Sequence, residues 1–172
     1  SMNRFLTLLA LTLTFVLPGR SGTTATFEGV WRDEARNRDV PYRVRHPAAA
    51  TNRCPVIVLS HGLGGSRDGY AYLGEHWASN GYIVVHLQHP GSDDTVWKGA
   101  ADPMAEMRRA AATPALAVDR ARDFSFALDR LADLDREGPL KGLIDTNRIG
   151  AAGHSFGAHT VLCVSGLRMA RL

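Results

Sequence analysis

Three apolar runs constrain this chain more than any other feature: PVIVLSHG (55–62), GYIVVHL (81–87) and RIGAAGHS (148–155). Continuous apolar runs of this length, with glycine at or near their ends, read as strands buried on both faces. Helical spacing fills the intervals between them. Strands covered on both sides and joined through helices form a parallel sheet with right-handed crossovers. The fold class is therefore α/β.

An entry hairpin precedes that sheet. Residues 27–31 form a short strand, RDEARNRD (32–39) a polar turn, and VPYRVR (40–45) alternates as the returning strand. Residues 70–79 suit a helix with Tyr72, Leu73, His76 and Trp77 on one side, stopped by Asn80-Gly81. Residues 95–112 read as a less regular insert. From Thr113 to Asp135, with Pro114 just inside, the stripe Ala117, Ala121, Phe124, Leu128 and Leu131 predicts a long helix. Asp119, Arg122, Asp129, Arg130 and Asp133 point to water on that reading. Gly138-Pro139 ends the helix, and another starts near Ala158. No repeat or interdomain linker divides the 172 residues, which suffice for one buried core.

The first residues follow a different logic. Arg4 precedes FLTLLALTLTFVL (5–17), then Pro18-Gly19 and small residues to Ala25. A basic start, an apolar centre and a small-residue end make residues 1–25 a signal peptide, leaving 26–172 as the folded domain and a secreted or periplasmic destination. The apolar centre is too short to cross roughly 30 Å of hydrocarbon as a helix, so no stable membrane span is expected. A net charge of +3, with both signs interleaved, carries no basic stripe for nucleic acid. Cys54 and Cys163 read as two small buried thiols rather than a bridge, and no metal-ligand spacing occurs.

Two loops at the carboxyl ends of the strands carry chemistry, where open α/β sheets bind ligands. Gly153-His154-Ser155-Phe156-Gly157 fits G-x-S-x-G between a buried strand and a helix. A serine on so sharp a turn exposes its hydroxyl, and the close approach of the two chain segments demands Gly153 and Gly157. The Phe156 amide at the helix N-terminus then faces the position of an oxyanion. His61-Gly62-Leu63-Gly64-Gly65 supplies a second glycine-rich turn, whose Leu63 amide, or that of neighbouring Gly62, is the opposing donor. The turn lacks the G-x-G-x-x-G dinucleotide fingerprint and a Walker lysine. His61, His89, His154, Tyr70 and Trp97 are candidates for lining the pocket. His154 and His159 are poorly placed to serve as base for Ser155.

Taken together, SHGLGGS, GHSFG, DEARNRDVPYRVRHP and HPGSD resemble the α/β-hydrolase superfamily, and within it the platelet-activating-factor acetylhydrolase and dienelactone-hydrolase-like esterases. The resemblance implies a sheet of order 1-2-4-3-5-6-7-8, a small-molecule ester substrate with a short or apolar acyl group, and no metal or organic cofactor. It implies Ser155 as nucleophile and Leu63 and Phe156 as the oxyanion-hole residues. It also implies an Asp or Glu and then a His after the serine, whereas only His159 and no carboxylate follows Ser155 here. The expectation is thus the N-terminal part of a serine esterase, strands 1–5 without 6–8, inactive or very weak alone. The alternative is a non-catalytic, hydrolase-like binding protein. The last strand then forms an open edge, inviting self-association.

Overall fold

The computed structural model describes residues 22–166. The expected signal peptide lies almost wholly outside the described residues. Its last residues do not: β1 (Thr24–Asp33) starts inside the stretch assigned to it. β1 pairs antiparallel with β2 (Arg38–Pro47), from Thr24 opposite Pro47 to Asp33 opposite Arg38. Asp33 caps the connecting turn by accepting from the Arg36 amide, and Asn37 closes it at φ 49°, in the left-handed region that Asn tolerates.

The remaining strands are β3 (Cys54–Ser60), β4 (Ile83–Leu87) and β5 (Ile144–Gly153). The sheet order is β1-β2-β4-β3-β5; β3 runs parallel to both β4 and β5, and β2 antiparallel to β4. β3 and β4 sit inside, and every residue of β4 is buried. β5 is longer than its apolar run and less buried than expected, with residues 146–151 exposed along the open edge. Between β3 and β5 the register jumps, Pro55 facing Asp145 and Val56 facing Ile149.

Helices α1 (Ala71–Ser79), α2 (Pro103–Ala111), α3 (Pro114–Arg136) and α4 (Phe156–Val164) surround the sheet. The core joins Val40, Val44, Val56, Val58, Ile83, Val85 and Leu87 of the strands to Phe124, Ala127 and Leu131 of α3.

Three expectations require correction. The insert contains a regular helix, α2, with Asp102 accepting from the Ala105 amide as cap and Pro103 at its first position; the cap and proline were visible, but the helix has little apolar periodicity. On α1 the buried residues are Gly74 and Ala78, while Tyr72 and His76 face outward. Gly74 allows that helix to lie against the sheet, since a β-carbon there would meet His86 Nε2 at 2.3 Å. On α3 the innermost face is Arg120, Asp123, Phe124, Ala127 and Leu131, rather than a purely apolar stripe. Cys54 and Cys163 are unbridged, Cys54 buried and Cys163 half-buried.

Candidate active site

The chain leaves β5 at Gly153 and enters α4 at Phe156, so His154 and Ser155 must reverse its direction. Ser155 does so at φ 53° and ψ −117°, standing at the N-cap position of α4 with its side chain exposed and making no capping hydrogen bond. Such a conformation is rare outside glycine and costs of order 1–3 kcal/mol. The surrounding packing enforces it. A β-carbon on Gly153 would lie 2.3 Å from the Gly157 carbonyl oxygen, and one on Gly157 would lie 1.9 Å from that of Ser60. The start of α4 therefore rests directly on the end of β3. The His154 amide donates to Ser60 O and the Gly157 amide to His154 O.

The loop after β3 approaches the same turn. A β-carbon on Gly62 would sit 3.2 Å from His154 Nδ1 and 3.5 Å from Ser155 Cβ. Gly64, at φ 72°, donates its amide to Ser92 O and accepts from Trp97 Nε1 at 2.7 Å. Met107 and Trp97 pack over Gly64, at 2.8 and 3.0 Å from where its β-carbon would be. Among the described residues, the amides of Leu63 and Phe156 have no hydrogen-bond acceptor. Tyr70 occupies the left-handed region at φ 60°, and its ring lies 5.4 Å from that of His154. Gly62, Leu63, Gly64, Tyr70, His154, Ser155 and Phe156 are thus gathered around one turn, with Trp97 behind the loop.

His61 and His89 are not at the surface of this site. Both are buried, and they belong to a polar network beneath it. The network has one consistent proton arrangement. Arg120 can only donate; its Nη2 reaches Ser60 Oγ at 3.0 Å, so the Ser60 hydrogen goes to His89 Nε2 at 2.9 Å. His89 Nδ1–H donates to Asp123 Oδ2 at 3.0 Å. The His89 amide donates to His61 Nε2, leaving His61 Nδ1–H to donate to Gly62 O. Both rings are neutral. Burial drives His61 down to about 4, helped by the Arg120 charge, and His89 to about 3 despite its bond to Asp123. Burial pushes the Asp123 carboxyl up, but its bonds from His89 and Arg38 outweigh this and hold it below its ordinary value. Arg36 and Arg38 complete its shell.

Ser60, His89 and Asp123 reproduce the connectivity of a serine–histidine–aspartate triad, yet all three are fully enclosed. Ser60 Oγ already holds the Arg120 proton donor and no substrate can reach it. The chain is a support. Sequence reasoning left Ser60, Ser92, Arg120, Asp123 and Thr160 without roles. The available signal was the spacing of Arg120 and Asp123, four and one residues before Phe124 on the buried stripe. Among the described residues no imidazole or carboxylate is bonded to Ser155; His159 instead lies 3.6 Å from Cys163 Sγ through Nδ1.

An open groove of about 610 Å³ adjoins this turn between α1, β5 and α4, lined by Tyr70, Tyr72, Trp77, His154, Val161 and Leu162 among others. It is apolar and exposes the flank of β5. No helix among the described residues is long and apolar enough to cross a membrane.

Residues 27–108 match the family described as platelet-activating factor acetylhydrolase, isoform II. That span includes the His61–Gly65 loop but stops before Ser155. The chain is 28% identical over 151 residues to platelet-activating factor acetylhydrolase from Canis lupus familiaris, covering 71% of this chain and 34% of that protein. It is 30% identical over 137 residues to the Bos taurus protein of the same name, covering 63% of this chain and 31% of that one. The chain therefore spans only part of the length of the curated relatives it matches. Among solved structures, a ferulic acid esterase from Streptomyces cinnamoneus aligns with a TM-score of 0.63 at 24% identity, over 87% of this chain and 57% of that one. The five-stranded sheet with flanking helices thus matches a neighbour of α/β-hydrolase-like fold.

Proposed function

We propose that this α/β-hydrolase-fold chain carries the nucleophile and oxyanion hole of a serine-dependent carboxylic-ester hydrolase. The observation that carries the reading is Ser155, held at φ 53° and ψ −117° at the head of α4 and next to Gly62. An exposed serine in a conformation the fold must work to maintain is a site of chemistry rather than of packing.

In the reaction, Ser155 Oγ attacks the ester carbonyl carbon while its proton passes to a base. The carbonyl π bond opens, and the resulting oxyanion accepts from the Leu63 and Phe156 amides. These donors are fixed before reaction, which is why such a pair is worth about 10²–10³ in rate per donor. Collapse expels the alcohol, and water then releases the acid from the acyl-serine. The base is a histidine oriented by a carboxylate, which in the families this chain resembles follows the serine; the described residues contain neither at Ser155. The chain's own contribution is the attacking atom and the two donors, which alone retain limited acceleration. Apolar Leu63 and Phe156, flanking the oxyanion position, favour an uncharged ester with a short or apolar acyl group. The basic and apolar N-terminal segment supports a secreted or periplasmic destination.

A second reading is a protein that binds ligands in this site without turning them over, since among the described residues no imidazole or carboxylate is bonded to Ser155. Incubation of the full chain with a fluorophosphonate, followed by peptide mass analysis, separates the two. The expected result is covalent mass on Ser155, absent in Ser155→Ala, with slow release of p-nitrophenol from p-nitrophenyl acetate. Equal turnover by Ser155→Ala would overturn the esterase reading.

A further inference from the structure

Beneath the site, one buried cation touches both segments that carry its oxyanion donors. Arg120 lies on α3, fully enclosed. Its Nη2 donates to the His61 carbonyl and to Ser60 Oγ, at the root of the loop that carries Leu63. Its Nη1 donates to Ser92 Oγ at 2.8 Å, and the Ser92 carbonyl in turn holds the Gly64 amide. Its Nε donates to Thr160 Oγ1 at 3.0 Å on α4. Thr160 Oγ1 passes its own hydrogen to the Phe156 carbonyl at 2.9 Å, and the guanidinium lies 4.6 Å from the Phe156 ring centroid.

A guanidinium offers five donors in a rigid plane. Here that plane is stretched between the loop of Leu63 and the helix of Phe156, two segments separated in sequence but required at one oxyanion. Burial lowers Arg120 to about 10, so it remains charged at neutral pH. Its compensating anion, Asp123, is reached only through Ser60 and His89. Burying a cation without a direct carboxylate partner is costly, and a tie of this kind between loops is not needed to close the apolar core, which lies elsewhere on α3.

We propose that Arg120 is the positioning residue of the oxyanion hole, fixing the Leu63 amide relative to the Phe156 amide through His61 O on one side and Thr160 Oγ1 on the other. The proposal rests on the assignment of Ser155, Leu63 and Phe156 made above. It assigns Thr160 the role of relay to the elbow and Ser92 that of relay to Gly64.

The test uses Thr160→Val, which removes the relay while keeping shape and the buried cation, together with Arg120→Lys and Arg120→Met in the full chain. The first measurement is amide hydrogen exchange at residues 61–65 and 154–157. Thr160→Val lies on α4, yet exchange is expected to rise in the 61–65 loop as well as at the elbow. The second is p-nitrophenyl acetate hydrolysis, where kcat falls about tenfold at unchanged KM, the signature of an interaction made in the transition state. Arg120→Met exceeds that loss, and Arg120→Lys recovers part of it. If Arg120→Met does not fold, the Thr160→Val results decide alone. Exchange confined to α4 with kcat unchanged overturns the proposal while Ser155→Ala still abolishes turnover. Full turnover in Ser155→Ala overturns the underlying assignment, and this proposal with it.

Discussion

Acid should unfold this protein well above the pH at which carboxylates are lost, because three of its histidines are enclosed as neutral rings. His61 and His86 are driven to about 4 and His89 to about 3, burial being the leading cause for each. In the unfolded chain a histidine titrates near 6.5. Below that value the unfolded state binds protons that the folded state refuses, so the free energy of unfolding falls as pH falls. The loss begins near pH 6.5 and continues until the folded rings themselves protonate. With three protons taken up per unfolding event, the slope reaches ~4 kcal/mol per pH unit, and by pH 5 the loss is ~6 kcal/mol. A domain of ordinary stability has roughly 5–15 kcal/mol to lose. Asp123, held below its ordinary 3.8, adds its own destabilisation only at lower pH, outside this window. Urea melts at half-unit steps from pH 7.5 to 4.5, followed by circular dichroism, give the slope directly. His86→Met should remove about one third of it, since that ring lies under α1 and away from the other two. A flat profile from pH 7 to 5, with unfolding only below pH 4, would refute the reasoning and show that these rings are hydrated or charged in the fold.

Three further outcomes follow from the geometry. Gly157→Ala should not yield a native fold: its β-carbon would stand 1.9 Å from Ser60 O, a backbone atom with no freedom to retreat, and circular dichroism with a thermal melt will report this. Asp123→Asn removes the carboxylate bonded by Arg36, Arg38 and His89, leaving part-buried Arg38 without it and Arg36 with Asp33 alone; this should cost about 1–3 kcal/mol in a urea melt at pH 7.5. β5 exposes one flank along 146–151, so sedimentation should show concentration-dependent association, weakened by Ile149→Lys as a charge on the edge; a monomer at all concentrations contradicts the edge-pairing expectation.

Much of the fold was written in local pattern. The runs at 55–62 and 81–87 had no polar alternation, and they became the enclosed strands β3 and β4. The α3 boundaries followed from Pro114 at one end and Gly138-Pro139 at the other. Where pattern failed, the reason was equally physical. α2 has a cap and a proline but little apolar face, so nothing in its periodicity announces a helix. Tyr72 and His76 read as inward because large side chains carry apolar area, whereas close approach of α1 to the sheet selected Gly74 and Ala78 instead.

The site divides along the same line. Sequence alone determined that a serine would stand between a strand and a helix with glycines on either side, since only that spacing permits so tight a turn. It also placed a glycine-rich loop after β3. Tertiary structure alone decided what lies beneath: that His61 and His89 are enclosed, and that Arg120 and Asp123 point inward. A charged residue on a helix reads as exterior because burying it is unfavourable unless partners surround it. Those partners, Ser60, His61, Ser92 and Thr160 for Arg120, come from 28 to 60 residues away in the chain. Only the folded sheet brings them to one cation, and no local window of sequence contains them.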